Sequence, residues 1–119
     1  LEGSWDPFLP LALASEHAPE MDIATGIAGA CPRNPMHLAY QAWDLQNFSK
    51  GKFYLRIGSQ IKTHIEKRFG TDFSPPAARM RDYILALKAN LIVGNIRITK
   101  IINIFHKTFF ICNKLIILL

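Results

Sequence analysis

The apolar residues of this chain come in short runs, each with its own period and each closed by Pro or Gly. Asp6-Pro7 followed by Phe8-Leu9-Pro10-Leu11-Ala12-Leu13-Ala14 has a capping side chain, a Pro in the first turn, and an apolar run that predicts a short helix ending near His17. Pro19 closes it. In Met21 to Ala28, Ile23 and Ile27 flank small residues, and the cluster Gly26, Gly29, Pro32 marks the end of a buried strand and the start of a loop. Asn34-Pro35 repeats the cap-plus-Pro signature. Leu38, Ala39, Ala42 and Leu45 then recur at helical spacing up to Ser49, with Gly51 as the stop. Phe53-Tyr54-Leu55-Arg56-Ile57-Gly58 is dense in residues that favour strands and ends at Gly58-Ser59-Gln60.

Strand, helix and strand in this order form a βαβ unit, whose two strands run parallel with a right-handed crossover. The pattern then returns to helices. Ile61, Ile65 and Phe69 are spaced i, i+4, i+8 and predict a short amphipathic helix over 60–69, with Lys62, Glu66 and Lys67 facing water and Gly70 ending it. Ser74-Pro75-Pro76 is a third capped start, and Met80, Tyr83, Ile84 and Leu87 form one apolar stripe of a helix running to about Ala89.

Past Ala89 the composition changes. There is no acid, no Pro and one Gly, in a mixture of Ile, Leu, Phe, Lys and Asn that follows neither a helical nor a strand period. The chain therefore divides into a patterned part, 1–89, and a hydrophobic basic tail, 90–119, whose composition fits readthrough of non-coding or out-of-frame sequence. Arg97, Lys100, His106, Lys107 and Lys114 interrupt every window long enough to cross a bilayer, which argues against a membrane span.

Composition changes the picture in two ways. Half of the residues are hydrophobic (50%), which excludes a disordered chain and fits an α/β interior. The formal net charge of +5 raises nucleic acid as a partner, but charge location decides the matter. All nine acids lie at or before Asp82, and ten Lys and Arg balance them up to Ala89, so the excess belongs to the tail. No basic binding face is implied, and nucleic acid is not expected.

Cys31 and Cys112 lie far apart with no metal-binding spacing, as expected of free thiols in a reducing, cytoplasmic compartment. No initiator Met and no signal-peptide pattern precede the first helix, so the start reads as truncated. None of His17, His37, His64 and His106 pairs at metal spacing, and none is assigned a catalytic role. No carboxylate pair, no nucleophile with its base and no phosphate-cradling Gly loop is present, so no catalytic residue is named from this chain.

Six segments taken together carry a resemblance: Asp6-Pro-Phe-Leu-Pro-Leu-Ala-Leu-Ala-Ser-Glu-His17, Thr25-Gly-Ile-Ala28, Pro32-Arg-Asn-Pro-Met-His-Leu-Ala39, Trp43-Asp-Leu-Gln46, Ile57-Gly-Ser-Gln60 and Ala77-Ala-Arg-Met-Arg81. In this order and spacing the chain resembles the bacterial luciferase-like monooxygenases, particularly those dependent on the deazaflavin F420, over about Asp6 to Ala89. The resemblance implies a partial (β/α)₈ TIM barrel: the second helix, the third strand and helix, the fourth strand, and the helices after it. A complete barrel needs roughly 250 residues, so only a piece is expected here. It also implies F420 or FMN as cofactor, a small-molecule substrate and a homodimeric parent enzyme. Two positions depart from the family pattern. Trp5 stands where a polar residue is expected, and Arg56 stands where a small one is.

The family places ligands at the C-terminal ends of the strands, so Thr25, Gly26, Ile27 and Ala28 at the first strand end, and Gly58, Ser59 and Gln60 at the second, are the implied cofactor-binding residues. In deazaflavin-using relatives the first of these ends is a bulge, often with a non-prolyl cis peptide, that backs the ring. Small residues there let backbone approach a flat ring closely. The plainer alternative is that Gly26 and Gly29 shape a turn. Ser59 and Gln60 can offer a hydroxyl, an amide and backbone N–H groups, or serve as a helix cap and a solvated first-turn residue. Arg33, in the loop after the bulge, is placed to meet an anionic tail of the cofactor, or is a surface Arg before a capped helix.

Two function classes follow, with a lesser third. One is an oxidoreductase using reduced flavin or deazaflavin, of which this chain is the cofactor-side piece. Another is a non-catalytic remnant of such an enzyme, since a two-strand parallel piece leaves edges and one face uncovered. The third is a membrane- or partner-binding peptide acting through the tail.

Overall fold

The structure, a computed structural model, describes residues 6–93 and three short strands beyond them, with side chains described from Asp6 to Ile92. Helix α1 spans Phe8–His17. The Asp6 carboxylate accepts the Phe8 N–H at 3.0 Å, and Pro7 occupies a position whose missing N–H would have had no helical partner. Helix α2, Pro35–Phe48, starts in the same manner, with Asn34 accepting the Met36 N–H at 2.8 Å and Pro in the first turn. It ends where Lys50 and Gly51 turn to φ 52° and 87°. There the Gly51 N–H reaches back to the Gln46 carbonyl at 2.8 Å, which satisfies an end carbonyl of the helix.

Three strand segments follow from the β-formers. β1 is Ile23–Ala24, β2 is Ala28–Gly29 and β3 is Phe53–Gly58. β1 and β2 both pair in parallel with β3, Ile23 opposite Phe53 and Gly29 opposite Gly58. A later strand, β4 (Ile101–Asn103), pairs in parallel with β3 through Leu55, Arg56 and Ile57. β5 (Phe109–Cys112) and β6 (Leu115–Leu118) form a separate antiparallel pair.

Helix α3, Pro76–Val93, completes the helical layer. Alternation along β3 sends Phe53, Leu55 and Ile57 to one face, and all three are fully buried. They join one cluster with Phe8, Ile23, Ala28, Leu38, Ala42, Leu45, Met80, Ile84 and Leu87. The Phe8 and Phe53 rings meet at 6.4 Å and 59°, a tilted arrangement that aromatic pairs favour. The intervening Tyr54 is half-buried and Arg56 is exposed, and among the described residues no helix packs on that face of the sheet. A parallel sheet with helices packed on it is what a segment of a luciferase-like (β/α)₈ barrel requires.

Three elements differ from the sequence reading. The strand expected over 21–28 is interrupted between Ala24 and Ala28. The helix expected over 60–69 is a π-helical turn, His64–Arg68, entered from Lys62. Its Phe69 N–H bonds back five residues to the His64 carbonyl at 3.1 Å. A turn that wide no longer stacks residues four apart, so Ile65 is buried while Ile61 is 59% exposed. The third helix runs on to Val93 rather than ending near Ala89, with Leu91 continuing its buried stripe.

Among the described residues no helix is long and apolar enough to cross a membrane. Trp5, the tail charges Arg97, Lys100, His106, Lys107 and Lys114, and the side chain of Cys112 lie outside the described residues.

Candidate functional site

The break in the first strand is a bulge. Ala24 pairs with Tyr54 and Ala28 with Ile57, so the first strand spends one more residue than β3 over the same rise. The hydrogen bonds show the same slip. Ile23 N–H donates to the Lys52 carbonyl at 2.9 Å and Thr25 N–H to the Tyr54 carbonyl at 3.2 Å, and then Ala30 N–H reaches Gly58 at 2.9 Å. The offset between partners drops from 29 to 28 across the bulge.

Thr25 sits at the slip, fully buried. Its hydroxyl accepts the Arg56 N–H at 2.7 Å and donates to the Arg56 carbonyl at 2.7 Å. Gly26 is exposed, and a Cβ built on it would meet no atom within 4 Å. Ile27 is half-buried, and Ala28 is back in the core at 0% exposure. Of the four residues implied as a cofactor-binding strand end, Thr25 and Ala28 thus face inward and anchor the bulge, and Gly26 and Ile27 are presented outward. All peptide bonds are trans among the described residues, so the cis bond that often accompanies this bulge in deazaflavin-using relatives is not found here.

The second strand end lies alongside. Gly58 is buried opposite Gly29, and Ser59 and Gln60 are half-buried beyond it. The Ser59 carbonyl accepts the Cys31 thiol at 3.2 Å, which ties the two strand ends together. The Ser59 hydroxyl makes a long 3.4 Å contact with the carbonyl of Gln60. Gln60 adopts φ 67°, a left-handed conformation uncommon for a residue with a side chain. The helical segment begins two residues later, so Ser59 is not its cap and Gln60 is not in its first turn.

Arg33 has internal duties. Its guanidinium donates to the Gly29 carbonyl at 3.0 Å, pairs with the Asp6 carboxylate at 2.9 Å, and lies 5.8 Å from the centre of the Phe8 ring. The side chain is 15% exposed. An anionic cofactor tail would have to compete with Asp6 for this cation. Arg33 and Asp6 also line a pocket of about 360 Å³ with Pro32, Asn34, His37, Gln41 and Phe69 at the start of α2.

Behind the loop lies a group the residue pattern did not flag. Burial pushes the Cys31 thiol up from its ordinary value, and the nearby Arg79 charge partly offsets this. Arg79 bonds the carbonyls of Asp72 at 2.8 Å and Cys31 at 3.5 Å. The Tyr83 hydroxyl is buried with no hydrogen-bond partner among the described residues. Burial drives its ionisation far above the phenol range; the Arg33 charge opposes that shift and Cys31 adds to it. The only available signal for Tyr83 was its place on the helical stripe, which reads as core. Among the described residues no three His, Cys, Asp or Glu side chains are grouped to hold a metal.

Comparison with known proteins agrees with this architecture. The chain is 52% identical over 88 residues to uncharacterised proteins of Mycobacterium bovis and Mycobacterium tuberculosis, a match that covers 74% of this chain and 26% of each relative. It spans about a quarter of the length of the curated relatives it matches. It also superposes on the crystal structure of a monooxygenase from Streptomyces bottropensis with a TM-score of 0.65 at 24% identity, over 71% of this chain and 26% of that one. At that identity the likeness shows a shared fold. The sequence profile of the luciferase-like monooxygenases matches residues 2–96, and the chain belongs to that family.

Proposed function

We propose that this chain is the cofactor-side segment of an oxidoreductase that uses a reduced flavin or deazaflavin, FMN or F420, on a small organic substrate. The observation that carries the reading is the bulge at Gly26, exposed at a strand end with open space where a side chain would stand. A flat ring needs backbone without a side chain in its way, and a glycine between two buried anchors offers that. The residues present fit such a ring.

Gly26 and Ile27 would form the wall behind it, with Ile27 keeping water from that side. The half-buried Ser59 and Gln60 would offer a hydroxyl and an amide to its polar edge, beyond the buried Gly58. Thr25 and Ala28 support this wall from within. When bound, the ring supplies the reducing equivalents, and this chain supplies position and exclusion of water. Arg33, held by Asp6, orders the loop and is a second-choice contact for a cofactor anion. The same reading puts the protein in the cytoplasm, with no nucleic-acid or membrane partner and a dimeric parent enzyme.

The test is a fluorescence titration of the purified chain with FMN and with F420. Saturable quenching by one of them is the expected result. No quenching by either would overturn the reading and favour a non-catalytic segment.

A further inference from the structure

The Thr25 hydroxyl does something that strand pairing alone does not require. In a regular parallel ladder the Arg56 N–H, next in the series after the Thr25-to-Tyr54 bond, would be taken by the backbone carbonyl of Thr25. Here it is taken by the side-chain oxygen at 2.7 Å, and the same oxygen returns its proton to the Arg56 carbonyl, also at 2.7 Å. One buried hydroxyl thus closes both polar groups of Arg56 at the point where the ladder slips. Its own main chain is released to leave the sheet. The next residue is Gly26, exposed and with no atom within 4 Å of where a side chain would begin.

We propose that Thr25 is a positioning residue for the cofactor site: its hydroxyl substitutes for a backbone carbonyl in the ladder and so fixes how far Gly26 and Ile27 project toward the ring. The inference rests on the reading of the bulge as the ring's wall. It assigns Thr25 no contact with the ring, because the side chain is fully buried and its one O–H is donated to the Arg56 carbonyl. Only Ser retains this chemistry at the same reach. Val keeps the shape of Thr but leaves a partly buried N–H and C=O of β3 without this partner, and it has nothing to hold the bulge at its present height.

The test compares Thr25→Val with Thr25→Ser in the full chain. Amide hydrogen exchange is read at Arg56, with Leu55 and Ile23 as references for general loosening, and affinity is read by titration with FMN and F420. The Val variant should speed Arg56 exchange about tenfold or more over the references, and should weaken the cofactor that the parent chain binds by about tenfold. The Ser variant should stay within about twofold of the parent chain in both readouts. Unchanged Arg56 exchange in the Val variant would overturn the lock. Equal loss of affinity in both variants, or no loss in the Val variant, would overturn the positioning role. A parent chain that binds neither cofactor refutes the functional reading above, and the exchange data then decide the lock by themselves.

Discussion

The two faces of the β1–β3 sheet are built on opposite principles. One carries Phe53, Leu55, Ile57 and Ile23 against three helices, every one of these side chains under 9% exposed. The other carries Ala24, Tyr54 and Arg56, half-buried or exposed, with no helix upon it among the described residues. Parallel strands in α/β folds are ordinarily covered on both sides. The helix-covered face is where cohesion resides, because the hydrophobic effect scales with apolar area removed from water. The open face contributes little to cohesion and is free to differ. It accepts the charged Arg56, and the bulge interrupts the strand beside it. Cohesion is thus concentrated on one side of the sheet.

Substitutions should expose that asymmetry. Leu87→Ala removes a fully buried side chain of α3 and should cost about 2–5 kcal/mol. In a small domain this is enough to abolish a cooperative urea transition followed by Trp43 fluorescence. A loss below about 1 kcal/mol would show that the helix layer is loosely packed.

Tyr83 gives a smaller, pH-dependent effect. Its ionisation in the folded chain lies above the ordinary phenol value of 10.0. Its share of stability is therefore fully present below that pH and is lost as pH rises beyond it, because only the unfolded chain releases the proton readily. The Tyr83→Phe variant lacks this loss. It also removes a buried hydroxyl without a partner, so near neutral pH it should be as stable as the parent chain or slightly more so. Urea midpoints measured from neutral to alkaline pH should diverge in favour of Phe, and parallel curves would contradict the burial of this hydroxyl. The smallest effect belongs to the open face, where Arg56→Ala should change stability by no more than about 0.5 kcal/mol. A larger loss in the same urea assay would mean that this face holds the fold as well.

Capping made much of the fold legible in the residues. Asp6-Pro7 and Asn34-Pro35 announce their helices, and both side chains make the bonds that their types promise. Phe53 to Gly58 reads as a strand and is one. Periodicity misled at Ile61, Ile65 and Phe69, because spacing in sequence assumes a turn of ordinary width and this one is wider. It was also cut short at Ala89. Leu91 lies four residues after Leu87 and continues the same face, but the change in composition concealed it.

The resemblance named both strand ends as the candidate site. How their residues are bonded was not legible. That Thr25 bonds a residue 31 positions away, and that Arg33 is occupied by an acid 27 positions away, depend on tertiary proximity, which no local pattern encodes.

The bulge carries one more consequence, of parity. Side chains on a strand change sides at every step, so inserting one residue normally turns everything beyond it inside out. Here Ile23 before the bulge and Ala28 after it both face the helices, although five positions separate them, an odd number. The extra residue therefore restores no facing that was lost. A chain lacking Gly26 could run through this stretch as an unbroken strand, Ala24 beside Tyr54 and Ala28 beside Ile57, with both anchors oriented as they are now. The facing of the sheet is thus the same with the additional residue as without it.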